Sequence, residues 1–374
     1  MKIISLILKK KIIFYILYFT LIFSIFELFL RISLPNLLQG TKKDIYKEHK
    51  LYGWTLKKNL VFKYYNPYTR EPTLLKTDNN GFRIVESEQL NQNIFFLGDS
   101  ITAGLGAKGD KIFPALISKN LKSNGFNFGV NGYSTDQSYI ILKDYIKKYK
   151  PKYVFYTFVN NDLEFNMKNY IPMGNKTLIG KPKLNQNLEV KEKEFFLIKN
   201  SNIKQKLSEF VNSNIAIYRF LALIKNYSTL YNRQKTEIFY QNFSFDYNFE
   251  SQLKKKQIDF FFKILKEMKK LCDENGSEFY LIKAFSLDDS KYASLKIKPD
   301  NYKEYKDFNN QISIKSKENN INYIKIDNVE NLSLHNNNFF FNINDVIYDG
   351  HYNENGHEFF AKEILKKIHQ KNKF

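Results

Sequence analysis

The sequence predicts an α/β domain, a parallel sheet with helices on both faces, preceded by an apolar amino-terminal helix. Three observations lead there. A nearly unbroken apolar stretch runs from Ile12 to Leu30, behind Lys9-Lys10-Lys11. From Asn93 onward short apolar runs alternate with helical patterns, the rhythm of a sheet covered on both sides. Gly98-Asp99-Ser100 directly follows the first of those runs, where the loops of a parallel sheet open on a crevice.

The amino-terminal stretch is interrupted only by Thr20, Ser24 and Glu27. A membrane-spanning helix needs about 20 mostly apolar residues, and this stretch meets that length. It is apolar on nearly every face, which does not suit a helix covering a soluble core. Basic residues flank both ends, but the cluster at Lys9 to Lys11 is denser and adjacent, so the amino end is expected inside. A cleaved signal peptide would carry a small-residue cleavage site, and Phe29-Leu30-Arg31-Ile32 offers none. Residues 1–35 are therefore expected to be an uncleaved single-pass anchor with the remainder extracytoplasmic.

Residues 36–90 read as a linker or hairpin region. Val61 to Tyr65 and Leu74 to Thr77 are expected to pair as strands around Asn66-Pro67-Tyr68, and Asp78-Asn79-Asn80-Gly81 is turn chemistry. The main domain, 91–374, then begins. Strands are expected over Asn93 to Leu97, Asn127 to Val130, Tyr153 to Phe158, Glu278 to Ala284 and Tyr323 to Ile326. Helices are expected over Lys111 to Ser123, Gln137 to Tyr149, Phe249 to Asn275, Tyr302 to Lys317 and Glu354 to His369. Residues of about 163–248 break this rhythm and read as an insertion, a lid or a membrane-facing segment, with a helix over Ile215 to Tyr231.

At 374 residues and 43% hydrophobic content the chain can bury a sizeable core. The formal charge of +20 would suit an anionic partner. Yet the lysines are scattered, and arginine, the better reader of bases, is scarce. The abundance of Lys, Asn, Ile, Phe and Tyr together reads as compositional drift, so no nucleic-acid partner is expected. The single cysteine, Cys272, has no histidine near it in sequence and reads as an inert thiol. No His-Glu-x-x-His and no paired cysteines occur, so neither metal nor other cofactor is expected.

Four segments carry chemistry. Ser100 follows a buried strand, and a serine hydroxyl attacks carbonyls only when a base within hydrogen-bonding reach takes its proton. Tyr348-Asp349-Gly350-His351-Tyr352-Asn353 reads as a loop ahead of the closing helix, supplying a histidine and, two residues earlier, an acid to orient it. His357 is a rival base, but it falls inside the expected closing helix as a packing residue. Gly129-Val130-Asn131-Gly132-Tyr133 and Val159-Asn160-Asn161-Asp162 each overlap or follow an expected strand end. They would bring backbone N–H and amide donors for a tetrahedral oxyanion to the same edge of the sheet.

These segments, in their order along the chain, resemble the four blocks of the SGNH/GDSL hydrolase superfamily. Gly98-Asp99-Ser100 is similar to the first, with Ser100 in the nucleophile place. Asn127-Phe128-Gly129-Val130-Asn131-Gly132 is similar to the second, with Gly132 in the oxyanion place. Asn160-Asn161-Asp162 is similar to the third, with Asn161 as a further oxyanion donor beside the Ser100 N–H. Asp349-Gly350-His351 resembles the last, with His351 as base and Asp349 as orienter. The resemblance implies a flavodoxin-like three-layer fold with about five parallel strands. Gly53-Trp54 and Asn80-Gly81-Phe82-Arg83 resemble a region found ahead of the domain in membrane-anchored members. Two departures stand out: the third block lacks its usual glycine, and Asp349 precedes His351 by two residues where many relatives have three.

Gly104-Leu105-Gly106-Ala107-Lys108-Gly109 satisfies the dinucleotide pattern G-x-G-x-x-G. Its glycines come several residues after the strand, and no acid follows at the ribose position, so it is read instead as a loop needing close substrate approach. The expected activity is hydrolysis of an acyl ester, an O-acetyl group foremost, on an envelope glycan or lipid. O-acyl transfer to an envelope polysaccharide and a non-catalytic envelope scaffold are the alternatives.

Overall fold

The structure is a computed structural model. It describes residues 2–34, 45–65, 72–86, 92–104, 106–172, 178–190, 197–198, 207, 210–211, 214–234, 252–285, 302–326, 339–343 and 346–371. The expected turn at 66–68 and residues 235–248 of the insertion lie outside them. The chain divides into two compact units, 1–44 with 201–231, and 45–200 with 232–374.

The first unit holds α1 (Lys2–Ser33). Its stretch Lys9–Ser33 is long and apolar enough to cross a membrane and contains no buried side chains except Leu30. Large apolar groups such as Phe14 and Phe19 stand exposed along it.

The second unit is built on five strands. They are β5 (Asn93–Gly98), β6 (Asn124–Asn127), β7 (Tyr153–Phe158), β11 (Glu278–Lys283) and β12 (Asn322–Ile324). Ahead of them come β1 (Tyr46–His49), β2 (Gly53–Leu56), β3 (Val61–Tyr65) and β4 (Pro72–Lys76), which form two antiparallel hairpins. Between β7 and β11 stand β8 (Tyr170–Pro172), β9 (Leu178–Gly180) and β10 (Leu197–Ile198), an antiparallel trio. The five core strands pair in parallel in the order β6-β5-β7-β11-β12. Numbered by their own succession this is 2-1-3-4-5, the flavodoxin-like order, whose crevice opens where the chain reverses between its first and third strands.

Side chains alternate along a strand, so each core strand feeds two cores. Phe95, Leu97, Val154, Tyr156 and Leu281 pack under α4 (Thr135–Tyr149) and α7 (Gln252–Glu274), through Ile141, Ile146, Phe261 and Leu265. Ile94, Phe96, Phe155 and Ile282 face α3 (Phe113–Asn120) and α9 (Glu354–Lys371), through Phe113, Ile117, Phe360 and Ile364. The result is three layers, α/β/α, as the sequence predicts. α8 (Tyr302–Glu318) adds Phe308 and Ile312 to the first core.

Two strands differ from expectation. The run at 127–130 is mostly loop, and the strand is β6 at 124–127, an edge strand whose polar sequence hides it. Residues 346–352 form β14 (Val346–Tyr352), paired antiparallel with β13 (Phe340–Ile343), where a loop was expected. Within the two hairpins and the turn that follows them, Trp54, Leu56, Phe82 and Arg83 are buried.

Candidate active site

Ser100 opens the short helix α2 (Ser100–Ala103) at the carboxyl end of β5. The strand turns out of the sheet at Gly98, whose φ of 147° only glycine adopts comfortably. A Cβ there would lie 2.4 Å from Thr102 Oγ1 and 2.5 Å from the Thr157 carbonyl. Asp99 then caps the helix, its Oδ1 accepting from the Ile101 N–H at 2.9 Å. Burial pushes the Asp99 carboxyl up from its usual range, while the Ile101 N–H and nearby His351 pull it back.

His351 stands on β14, 251 residues further along the chain, and its Nε2 lies 2.7 Å from Ser100 Oγ. The strand holds it there because the next residue, Tyr352, is buried, stacked on Phe285 at 4.2 Å and donating its hydroxyl to the Phe285 carbonyl at 2.7 Å. Ser100 Oγ has a second acceptor in Asp99 Oδ2, but at 3.3 Å that contact is longer. Both Ser100 and His351 are half-buried, so the pair is fixed from behind and open in front. Asp349 precedes His351 by two residues on the same strand, and its side chain lies outside the described residues.

The loop after β6 folds across α2. Asn127 Nδ2 donates to the Thr102 carbonyl at 2.9 Å, and a Cβ on Gly129 would meet the Ala103 nitrogen at 2.5 Å. Gly132 follows with φ 78°. The loop is held from outside by the 45–86 segment: Trp54 Nε1 donates to the Asn131 carbonyl at 3.0 Å, and the Tyr133 hydroxyl donates to the Trp54 carbonyl. Asn161 stands exposed at the start of α5 (Asp162–Phe165), just past the end of β7. Gly98 and Thr157 are in register on neighbouring strands, so Ser100, Gly132 and Asn161 all follow carboxyl strand ends at one edge of the sheet.

His357 is not part of this array. It lies in α9, 1% exposed, stacked against Phe113 at 5.9 Å and accepting the Phe113 N–H on Nδ1 at 3.4 Å. Burial, with Arg83 and His351 adding, pushes its pKa down to about 3, so it is neutral.

Arg83 is the residue whose role the sequence does not reveal. It is 2% exposed and donates to the carbonyls of Ala103, Gly104 and Ala107 at 3.0, 2.5 and 2.8 Å. A cation at a helix carboxyl end complements its dipole, and here the helix bears Ser100. The Gly104–Gly109 segment is thereby occupied: a Cβ on Gly104 would strike Ile112 Cγ2 at 2.4 Å. That glycine serves internal packing rather than the close substrate approach expected of it.

Beneath the third block lies a buried polar cluster that the sequence reading also missed. The Tyr156 hydroxyl contacts Asp162 Oδ2 at 2.7 Å and Thr135 Oγ1 at 2.8 Å. Burial, reinforced by the charge of Asp99, pushes the Asp162 carboxyl well above its usual range. Next to it Lys181 and Asp136 form an ion pair with both side chains fully buried. Among the described residues no group of three His, Cys, Asp or Glu is arranged to hold a metal.

No protein-family model matches the sequence, and no curated protein matches it. Among solved structures the chain is similar to the acetyl xylan esterase AlAXEase, at 13% identity over 74% of this chain and 99% of that one, with a TM-score of 0.39. It is similar to TesA at 11% identity over 74% and 98%, TM-score 0.38. A catalytic mutant of Axe2, an acetylxylan esterase from Geobacillus stearothermophilus, is similar at 12% over 76% and 96%, TM-score 0.38.

Proposed function

We propose that this chain is an ester hydrolase of the SGNH/GDSL type, with Ser100 as nucleophile, His351 as general base and Asp349 as its orienting acid. The observation that carries the reading is the 2.7 Å approach of His351 Nε2 to Ser100 Oγ, made by residues 251 apart in sequence. That distance is within the reach a base needs to take the hydroxyl proton.

In the acylation step Ser100 Oγ bonds to the ester carbonyl carbon as its proton passes to His351 Nε2. The carbonyl oxygen becomes the oxyanion, met by the N–H groups of Ser100 and Gly132 and the Asn161 amide. Collapse breaks the bond to the alcohol, which leaves with the proton from His351. Water then repeats the sequence on the acyl-serine, releasing the acid and restoring the hydroxyl.

The substrate class is an acylated, foremost O-acetylated, glycan or lipid of the cell envelope. Support for that comes from α1: its exposed apolar surface and 25-residue span suit a single-pass anchor. Lys9 to Lys11 on its amino side suit an extracytoplasmic site. A fluorophosphonate probe tests the chemistry. The wild-type chain is expected to be labelled and to hydrolyse a simple acyl ester, and Ser100→Ala to do neither while unfolding at the same temperature. Labelling that survives the substitution would refute the assignment.

A further inference from the structure

The anchor helix contains one acid, Glu27, four residues before Arg31. Ionisable residues in a span are costly and mark a contact of some importance. Here the contact is visible. Glu27 Oε1 and Oε2 accept the backbone N–H groups of Ala216 and Ile217 at 2.8 and 3.0 Å. Arg31 Nε donates back to Glu27 at 2.8 Å, and its Nη2 to the Asn214 carbonyl at 2.5 Å. The carboxylate thus satisfies the unpaired amides at the start of the helix α6 (Ala216–Gln234). From Lys9 to Ser33 only Glu27 and Leu30 are not exposed, so the rest of α1 keeps its apolar surface free.

This fixes the height of α6 against a bilayer. Eighteen residues at 1.5 Å each set Glu27 about 27 Å along the helix from Lys9, just inside a hydrocarbon layer about 30 Å thick. The start of α6 is therefore held at the far boundary of that layer, beside the headgroups. On α6, Tyr218, Leu221 and Ile224 are exposed at 43, 56 and 50%, at a spacing of three that places them along one side. Leu207 and Phe210 just ahead are also exposed, at 61 and 62%. The helix carries Arg219, Lys225 and Arg233, which rules it out as a second span and suits a helix lying at an interface.

We propose that α6 is an interfacial membrane helix, docked on the anchor through Glu27 and laying Tyr218, Leu221 and Ile224 into the headgroup–acyl boundary of the outer leaflet. The proposal rests on α1 being a membrane span. It gives the 201–231 part of the insertion a partner, the lipid surface, and ties the chain to that surface at two places in sequence.

The test uses the full chain in vesicles of phosphatidylcholine and phosphatidylglycerol with spin-labelled acyl chains. Cys272 is fully buried and its thiol is pushed up by burial, so an introduced cysteine takes an environment-sensitive fluorophore selectively. A probe at Phe19→Cys is expected to be quenched best by deep spin labels, and one at Leu221→Cys severalfold better by shallow labels than by deep ones. Adding Glu27→Ala should reduce quenching at 221 severalfold and leave the probe at 19 unchanged. A water-exposed probe at 221 beside a quenched probe at 19 would overturn the α6 assignment and leave the anchor standing. A probe at 221 shielded from both water and lipid, in a concentration-dependent way, would overturn it in favour of a second copy of the chain. If the probe at 19 is unquenched, the anchor reading and this one fall together.

Discussion

His351 Nε2 meets Ser100 Oγ at 2.7 Å although the two come from opposite ends of the sheet domain's sequence. Each is set by a local device: the Gly98 turn and the Asp99 cap for the serine, the buried Tyr352 for the histidine. If the pair works as a unit, its losses should not add. Ser100→Ala and His351→Ala are each expected to lower kcat by on the order of 10⁴-fold or more, and the double variant by little further. Asp349→Asn should lower it by up to about 10⁴-fold. Steady-state hydrolysis of an acyl ester by the four proteins checks this. Losses that multiply would mean the residues act separately.

Arg83 sits behind Ser100 and donates to the carbonyls of Ala103, Gly104 and Ala107. Replacing it by methionine keeps much of the volume but takes the donor from three carbonyls, of which Gly104's keeps the Ala107 N–H at 3.2 Å. A loss of about 2 kcal/mol or more in stability is expected, since each buried unsatisfied group costs about 1–3 kcal/mol. Activity should fall mainly in kcat, by about 10- to 100-fold, because displacing a reacting group by about 1 Å costs that much. Urea unfolding and a split of kcat against KM measure the two effects.

The buried pair of Lys181 and Asp136 carries a sharper asymmetry. Lys181→Met alone leaves an uncompensated acid in the core and is expected to destabilise the fold by about 3–5 kcal/mol. Adding Asp136→Leu should restore a good part of that, since apolar replacements of both partners are often neutral. Thermal denaturation of the single and double variants decides. Equal stability of the two would show that Asp136 finds another partner or a proton.

His357 makes a prediction about pH. Its pKa is held at about 3 in the folded chain, against about 6.5 unfolded. Between those values the unfolded chain binds one more proton, so this residue's contribution to stability is full above about pH 6.5 and declines as pH falls toward 3. At pH 5 the loss should be about 2 kcal/mol, from 1.4 kcal/mol per pH unit. In His357→Gln the difference in unfolding free energy between pH 7 and pH 5 should shrink by about that amount. An unchanged difference would place the imidazole in contact with water.

The sheet was legible where burial on both faces leaves an unbroken apolar run. Tyr153–Phe158 is such a strand, and its limits match expectation. β6 was displaced because it lies at the sheet's edge, paired along its length only with β5, and Asn124-Gly125-Phe126-Asn127 needs no apolar signature for that. The β13–β14 hairpin was hidden by its Asn, Asp and Gly residues, which read as turns. Its pairing is local but of irregular register, and the shifts break the alternation by which a strand is read. Ser100 and His351 could be paired from motif order, since one follows an expected strand and the other precedes the expected closing helix. Arg83 and Trp54 could not be given roles, because what they touch lies far along the chain.

If Ser100 and His351 work as a pair, the β13–β14 hairpin decides when the serine can act. A nascent chain that has produced Ser100 and even the fifth core strand still lacks His351, which arrives only as Val346–Tyr352 folds onto its partner strand. On that reading the chain stays inert until Val346–Tyr352 has been made, and any copy cut short before that point is an unarmed shell.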